Sequence, residues 1–370
     1  MTSAVHTTLA LLLLILVGML LKLRIKKKEQ MTGIKILVLS IALPAMIFVS
    51  LLKIQVDSSL LILPALALLF NLVLLGSSRF MLALTGLSPS SRQGRTFMML
   101  LPSLAPGLSC FPFLMEYWGE EVLAWAALSD VGNKVFVLIL LYLLAMHWYY
   151  AVQKDTADHG ESRLKSLFFS LLREPVNLVI IVALIMLNSG LSFDSLPLFL
   201  QDSIMKMRSM MTPLILLYIG MAVSIKWSQF RLIGMLLCWR AGFSLIFSAL
   251  LIALFSLSEP GVVILAVAFP LSAVSFWPFA HMTAIRAIEK RNGIEESNST
   301  FDLDLGLGIL ACSLPLSTTL ILIVSSSGTT FTSPRLLIML GILLLVASFI
   351  PLVVHRIRIG ATRREAETVV

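Results

Sequence analysis

Ala105-Pro106-Gly107-Leu108-Ser109-Cys110-Phe111-Pro112-Phe113 falls inside the fourth of eleven long apolar stretches, and Pro270-Leu271-Ser272-Ala273-Val274-Ser275 falls inside the ninth. These two interruptions decide the fold. A segment of about 20 apolar residues spans a bilayer as a helix. A proline within it removes a backbone donor and frees a carbonyl. Lipid satisfies neither group, so such a break belongs against protein or a water-filled cavity. Breaks at corresponding places in two halves of a chain mark the binding region of many transporters.

Working outward, we place spans near Val5–Leu21, Ile36–Leu52, Leu60–Ser78, Thr96–Met115 and Val122–Leu144. After a polar linker, a second set follows at Pro175–Leu191, Met210–Val223 (with Ile204–Ser209 as an extension), Leu232–Leu257, Val262–Ile285 and Gly306–Val324. An eleventh span is Leu336–Val354. Of the 370 residues, 58% are apolar and 13% charged, far from soluble norms. The expected fold is an all-α integral membrane protein. Residues 1–325 form the membrane domain, with repeats at about 5–147 and 174–325 joined by a cytoplasmic linker at 148–173. Residues 326–370 add one transmembrane helix and a basic tail.

Charge orients the spans. With the N-terminus outside, the outer segments hold four basic residues, Lys53, Lys206, Arg208 and Arg335. Lys134 and Arg240 lie within spans, and the other 22 of the 28 Lys and Arg, Lys35 among them, fall on the cytoplasmic side. This bias follows the positive-inside rule and puts the C-terminus in the cytoplasm. Five spans per half, an odd number, make the halves inverted in the membrane. The run Lys22–Lys28 follows the first apolar stretch instead of preceding it, so a retained helix is expected there, not a cleaved signal. The basic balance of +8 lies between spans and implies a lipid surface, not nucleic acid. No phosphate loop, metal-ligand spacing or disulfide framework occurs, so no cofactor or metal is expected.

A family resemblance emerges from several short motifs in order. These are Ala42-Leu43-Pro44-Ala45-Met46-Ile47-Phe48, the Ala105–Phe113 run, Trp118-Gly119-Glu120-Glu121 and Asp130-Val131-Gly132-Asn133. Arg173-Glu174-Pro175, Gly190-Leu191, Leu196-Pro197 and Pro213–Met221 complete the set. Over about Val5 to Val324 the chain resembles the auxin efflux carrier family, itself related in fold to the bile acid/sodium symporters. The resemblance implies two inverted five-helix repeats whose fourth helices unwind and cross at mid-membrane. It implies elevator-type alternating access, a proton or sodium as coupling ion, and a homodimer. Its substrates are small organic anions, auxin in plants and dicarboxylates such as malate or malonate in some bacterial relatives. The resemblance implies that Gly107 and Pro112 lie on the first crossover, Pro270 on the second, and Asp130 and Asn133 at a polar pair of the fifth helix; the candidate substrate-binding residues are Pro106, Gly107, Pro112, Pro270, Ser272, Ser275 and Asn133. Ala105-Pro106 stands where the family often has Asn-Thr, Cys110 where a second Gly is usual, and Ala273-Val274 where Thr-Asn is common.

The residues themselves carry a physical reading. Two half-helix N-termini meeting in the membrane present unpaired N–H groups and partial positive charge, an anion site without Lys or Arg. Asp130 and Lys134 are i,i+4 neighbours; they serve ion coupling, or they form a neutralised packing pair. Arg240 draws an anion inward or, the reading we favour, snorkels to the inner headgroups. Asn71, Ser244 and Ser248 line the core. Glu116, Glu120 and Glu121 read as a solvated outer loop, and His281 as a structural residue. Without an ATP site, energy comes from an ion gradient or the membrane potential. A non-transporting sensor or receptor on the same fold is the alternative, and no clustered catalytic groups point to an enzyme.

Overall fold

The computed structural model describes residues 3–25, 28–53, 60, 62–153, 175–222 and 227–350. Most of the linker and all of the tail beyond residue 350 lie outside the described residues, as does the Arg173-Glu174 motif. Among the described residues the protein is all-α. Five helices are long and apolar enough to cross a membrane, at Glu29–Leu52, Ile62–Thr85, Phe111–Val152, Arg231–Leu254 and Leu303–Ser326. At 1.5 Å per residue, 24 residues reach about 36 Å, more than the roughly 30 Å hydrocarbon layer. Leu13, Leu20, Leu254 and Leu343 lie exposed on helix faces, as a lipid-facing surface requires.

The chain begins with α1 (Ser3–Leu21), α2 (Lys28–Leu37) and α3 (Leu43–Leu52). α2 and α3 form one span through a wide turn at Val38–Ala42, in which the Leu43 N–H reaches back to the Val38 carbonyl. Pro44 accounts for this turn: its ring and missing N–H exclude the ordinary bond to Ser40, and the helix widens around the gap. The second span thus starts at Lys28 instead of Ile36, and Lys35 is helical, not in a loop. Next come α4 (Ile62–Thr85), α5 (Arg92–Leu100), α6 (Pro106–Ser109), α7 (Phe111–Val135) and α8 (Leu141–Gln153). A second wide turn, Phe136–Leu140, joins α7 to α8, and His281 Nε2 lies 2.9 Å from the Val137 carbonyl there.

The second half comprises α9 (Pro175–Asn188), α10 (Leu198–Ser209), α11 (Met211–Ala222) and α12 (Trp227–Leu254). α13 (Pro260–Ala268), α14 (Trp277–Arg291) and α15 (Leu303–Ser326) follow. The last helix, α16, is Pro334–Ile350. α10 and α11 extend the seventh span well beyond Ile204, back to Leu198. Pro213 clashes with the carbonyl of Ser209 and sets the bend between them. The segments expected as the fourth and ninth spans are each two helices, α5 with α6 and α13 with α14. The fifth span is continuous with the end of the fourth, and the chain turns at Gly119, whose φ of 83° favours glycine.

The helices pack as two groups. α1 lies on α11, while α3 lies on α9 and α10. In the other group α4 packs on α7, α12 on α15 and α13, and α15 on α5 and α7. α3 and α11 reach across the seam to α7 and α15. α16 joins the second group, where Gly341 and Gly242 allow backbone approach to α12. Trp239 meets Phe349 edge-on at 5.8 Å.

The tightest approach in the second group is at Gly132, where an added Cβ would strike the Pro64 carbonyl on α4. Backbone cannot yield as a side-chain tip can, so even a methyl group forces α4 and α7 apart. Gly132→Ala is expected to lower stability by about 1–3 kcal/mol, measured by unfolding in detergent. Gly76→Ala, which meets open space, is expected to change it by under about 0.5 kcal/mol.

Candidate functional site

The site is built from the two breaks. α5 ends at Leu100, the Leu101 N–H makes its last helical bond to the Phe97 carbonyl, and residues 102–105 run outside the helices until Pro106 opens α6. Proline suits a helix start, because its fixed φ is helical and its missing N–H would be unpaired there anyway. Cys110 then departs from ideal helix (φ −113°), and Phe111-Pro112 begins α7. In the second break, residues 269–276 separate α13 from α14, and Pro278 repeats the proline start in the first turn of α14.

The breaks touch. The Ala105 N–H donates to the Ala273 carbonyl at 2.7 Å. The Ala273 N–H donates to Ser109 Oγ at 2.8 Å, and the Ser275 N–H to Ser103 Oγ at 3.1 Å. Serine hydroxyls thereby replace backbone partners that unwinding removed, which is what lets irregular backbone persist in an apolar interior. Ser103, Ser109 and Ser272 are fully buried. The Ser272 hydroxyl donates to the Phe269 carbonyl at 2.7 Å, and Ser275 Oγ accepts from the Trp277 N–H at 3.3 Å.

Each break is also held from the next helix along. Asn133 on α7 grips the Leu104 peptide from both sides, accepting its N–H at 3.2 Å and donating to its carbonyl at 3.0 Å. Ser313 on α15 accepts the Val274 N–H at 3.3 Å. Asn71 donates to Asn133 Oδ1 at 2.8 Å, and Asn133 donates to Asp130 at 2.8 Å. Asp130 lies 3.5 Å from Lys134, and Lys134 reaches Asn177 on α9 at 3.4 Å, across the seam. Asp130, Asn133 and Lys134 therefore form one buried chain from the first break to the other helix group.

Arg240 is placed differently from the headgroup position expected for it. It is 3% exposed, and its guanidinium donates to the Leu101 carbonyl at 2.8 Å and the Ser103 carbonyl at 3.1 Å. Those carbonyls lie at the C-terminal end of α5, where unpaired acceptors and partial negative charge collect, so they outcompete a distant headgroup. Among the described residues no carboxylate pairs with Arg240. Ser244 donates to the Pro270 carbonyl at 3.2 Å and Ser248 to that of Ala266 at 2.7 Å, so α12 braces both breaks.

Gly107 faces the seam: an added Cβ would lie 2.8 Å from Leu43 Cδ2 on α3. Pro106, Pro112 and Pro270 are buried and set backbone direction. Two groups were missed in the sequence. The ammonium of Lys35 on α2 lies 4.1 Å from the centre of the Phe276 ring in the second break. Glu120 is not in a solvated loop. It is helical, and it pairs with Arg208 and Lys53. Both contacts join residues remote in sequence, and no local pattern announces them.

Chemically, the arrangement offers two half-helix N-termini at a junction carrying one unneutralised arginine. That favours negative charge. Among the described residues, no group of acids, histidines and cysteines could hold a metal ion. The chain matches no protein-family model, and no curated protein is significantly similar to it.

Proposed function

We propose that this protein is a secondary transporter that moves a small organic anion, a mono- or dicarboxylate, by elevator-type alternating access. The observation that carries this reading is the direct bonding of two helix breaks beside an arginine that no described carboxylate neutralises. Transporters bind at such junctions because half-helix ends supply charge and direction without a fixed counter-ion.

Packing supports inverted repeats. If α1 to α8 and α9 to α15 are matched span for span, α1 on α11 corresponds to α9 on α3. Likewise α4 on α7 corresponds to α12 on α15, and α15 on α5 to α7 on α13. Each pair recurs with its counterpart, the signature of a pseudo-two-fold relation. The sequence resemblance to auxin efflux carriers adds an analogy of architecture, from which function does not follow by itself. On this reading α1, α2/α3, α9 and α10/α11 form the scaffold, and the helices around the breaks slide against it. Lys134–Asn177 and Lys35–Phe276 both cross that seam, so both contacts change during a stroke. Coupling is assigned to Asp130, with a proton or sodium as the ion, and the eleventh helix rides on α12.

A second reading is a sensor that keeps the fold without flux. The self-satisfied break favours it: the Ser272 and Ser109 side chains are committed to neighbouring backbone, and Ala273 and Val274 bring no polar side chains. Flux of a labelled organic-acid panel in proteoliposomes separates the two, with proton and sodium gradients imposed separately. Transport predicts saturable uptake stimulated by one gradient. Binding without flux under every gradient supports the sensor.

A further inference from the structure

Three charged residues from three helices meet at the end of the seam that the charge bias assigns to the outside. Lys53 follows α3, Arg208 lies in the last turn of α10, and Glu120 follows the turn at Gly119. One carboxylate oxygen of Glu120 serves both cations, at 2.5 Å from Arg208 Nη2 and 3.3 Å from Lys53 Nζ. Among the described residues Arg208 otherwise donates only to sulfur, of Met115 and Met205, each at 3.8 Å. The cluster has surplus positive charge, and Arg208 is largely buried, with its side chain 11% exposed.

Two idle donors flank it in sequence. Ser50 lies one turn before Lys53 on α3 and is fully buried, and its hydroxyl has no hydrogen-bond partner among the described residues. Trp118 lies two residues before Glu120, and its indole N–H is buried with no partner among the described residues. α3 packs against α7, which brings these two helices together. A buried donor left unpaired is destabilising. Two of them, a few residues along the chain from surplus positive charge, suit an anion with several acceptor oxygens better than the single oxygen that Glu120 supplies.

We propose that Lys53 and Arg208, with Ser50 and Trp118, form an outer loading site for a small carboxylate, and that Glu120 is the resident carboxylate filling it in this conformation. The ligand class is a mono- or dicarboxylate that competes with Glu120 for the same two cations. Glu120 follows the turn at Gly119 that ends the half-helix begun at Pro106. Its replacement by a free carboxylate therefore detaches the tip of that hairpin from α3 and α10. The role in loading rests on the transport reading; the binding chemistry does not.

The test is malonate titration of detergent-purified protein, read by tryptophan fluorescence and, independently, by binding of radiolabelled malonate. Glu120→Gln removes the competitor and is expected to tighten malonate binding at least about tenfold, about 1.4 kcal/mol. Adding Arg208→Gln is expected to abolish the gain, and Trp118→Phe to remove the fluorescence response and to weaken, without abolishing, binding of the radiolabel. Unchanged affinity in Glu120→Gln, or an equal response to chloride at matched ionic strength, overturns the site. Organic-acid flux with unchanged malonate affinity in Glu120→Gln overturns this proposal alone. Tighter malonate binding with no flux of any acid sustains the site and overturns the transport reading.

Discussion

Replacing Asn133 with leucine is expected to be the most destabilising single substitution at the crossover, at about 3 kcal/mol or more. Leucine matches the volume but supplies no polar atom. It strips a partner from the Leu104 N–H and carbonyl, from Asn71 Nδ2 and from Asp130 Oδ1. Hydrogen bonds between membrane helices average only about 0.6 kcal/mol, because groups freed in one place find partners in another. That compensation fails here, since the Leu104 peptide is fixed in an unwound segment between Arg240 on one side and the second break on the other. The full penalty of orphaned buried groups is the better guide. Equilibrium unfolding in mixed detergent micelles measures it. A loss below about 1 kcal/mol would mean that the break is held chiefly by packing. Asn133→Asp is expected to be harmful as well, because it sets a second carboxylate against Asp130.

Arg240→Met is expected to cost less stability and more function. Two effects oppose each other. Removing the guanidinium orphans the Leu101 and Ser103 carbonyls, yet it also removes a buried charge that lacks a carboxylate partner. Replacing buried charges by apolar groups is sometimes close to neutral. The carbonyls cannot turn to water, so a net loss of about 1–2 kcal/mol remains. The functional loss is larger. Among the described residues Arg240 is the one cation bonded directly to the first break, and without it the junction keeps partial charges from helix ends, each worth about 0.3–1 kcal/mol. Anion affinity is expected to fall by about 100-fold, or 2.7 kcal/mol. Arg240→Lys keeps the charge but loses the planar fork that spans two carbonyls. It is expected to recover part of the affinity and little of the stability. Equal anion affinity in Arg240→Met and the parent protein would remove arginine from the site.

What was legible in the sequence was local. Runs of apolar residues located the helices, and Pro106, Pro112 and Pro270 located the breaks, because a proline's effect on its own helix needs no knowledge of the rest of the chain. Asp130, Asn133 and Lys134 stood out for the same reason, being polar at membrane depth within one turn. The span boundaries suffered where polar residues were mixed into helix. Gln201, Asp202, Lys206 and Arg208 disguised α10, and Lys35 disguised α2. The partners of the charged residues were not legible. Arg240 folds onto carbonyls 137 and 139 residues away, and Glu120 meets Arg208 across 88. Such contacts follow from tertiary packing, which hydrophobic pattern constrains only coarsely. Ser103, Ser109 and Ser313 were missed because a lone serine in an apolar run reads as a small residue until an unpaired peptide N–H is known to face it.

Gly107 offers the most direct test of the central claim, that an anion crosses the membrane through the junction of the two breaks. Its Cα faces Leu43 on the neighbouring helix group, so a small side chain displaces only a flexible tip, whereas an indole blocks the seam. The measurement is uptake of labelled mono- and dicarboxylates into proteoliposomes by the parent protein, Gly107→Ala and Gly107→Trp, at matched reconstitution. The account predicts saturable uptake by the parent protein, a modest reduction for Gly107→Ala, and none for Gly107→Trp despite normal folding in detergent. Full uptake by Gly107→Trp, or no uptake of any acid by well-folded parent protein, would contradict it.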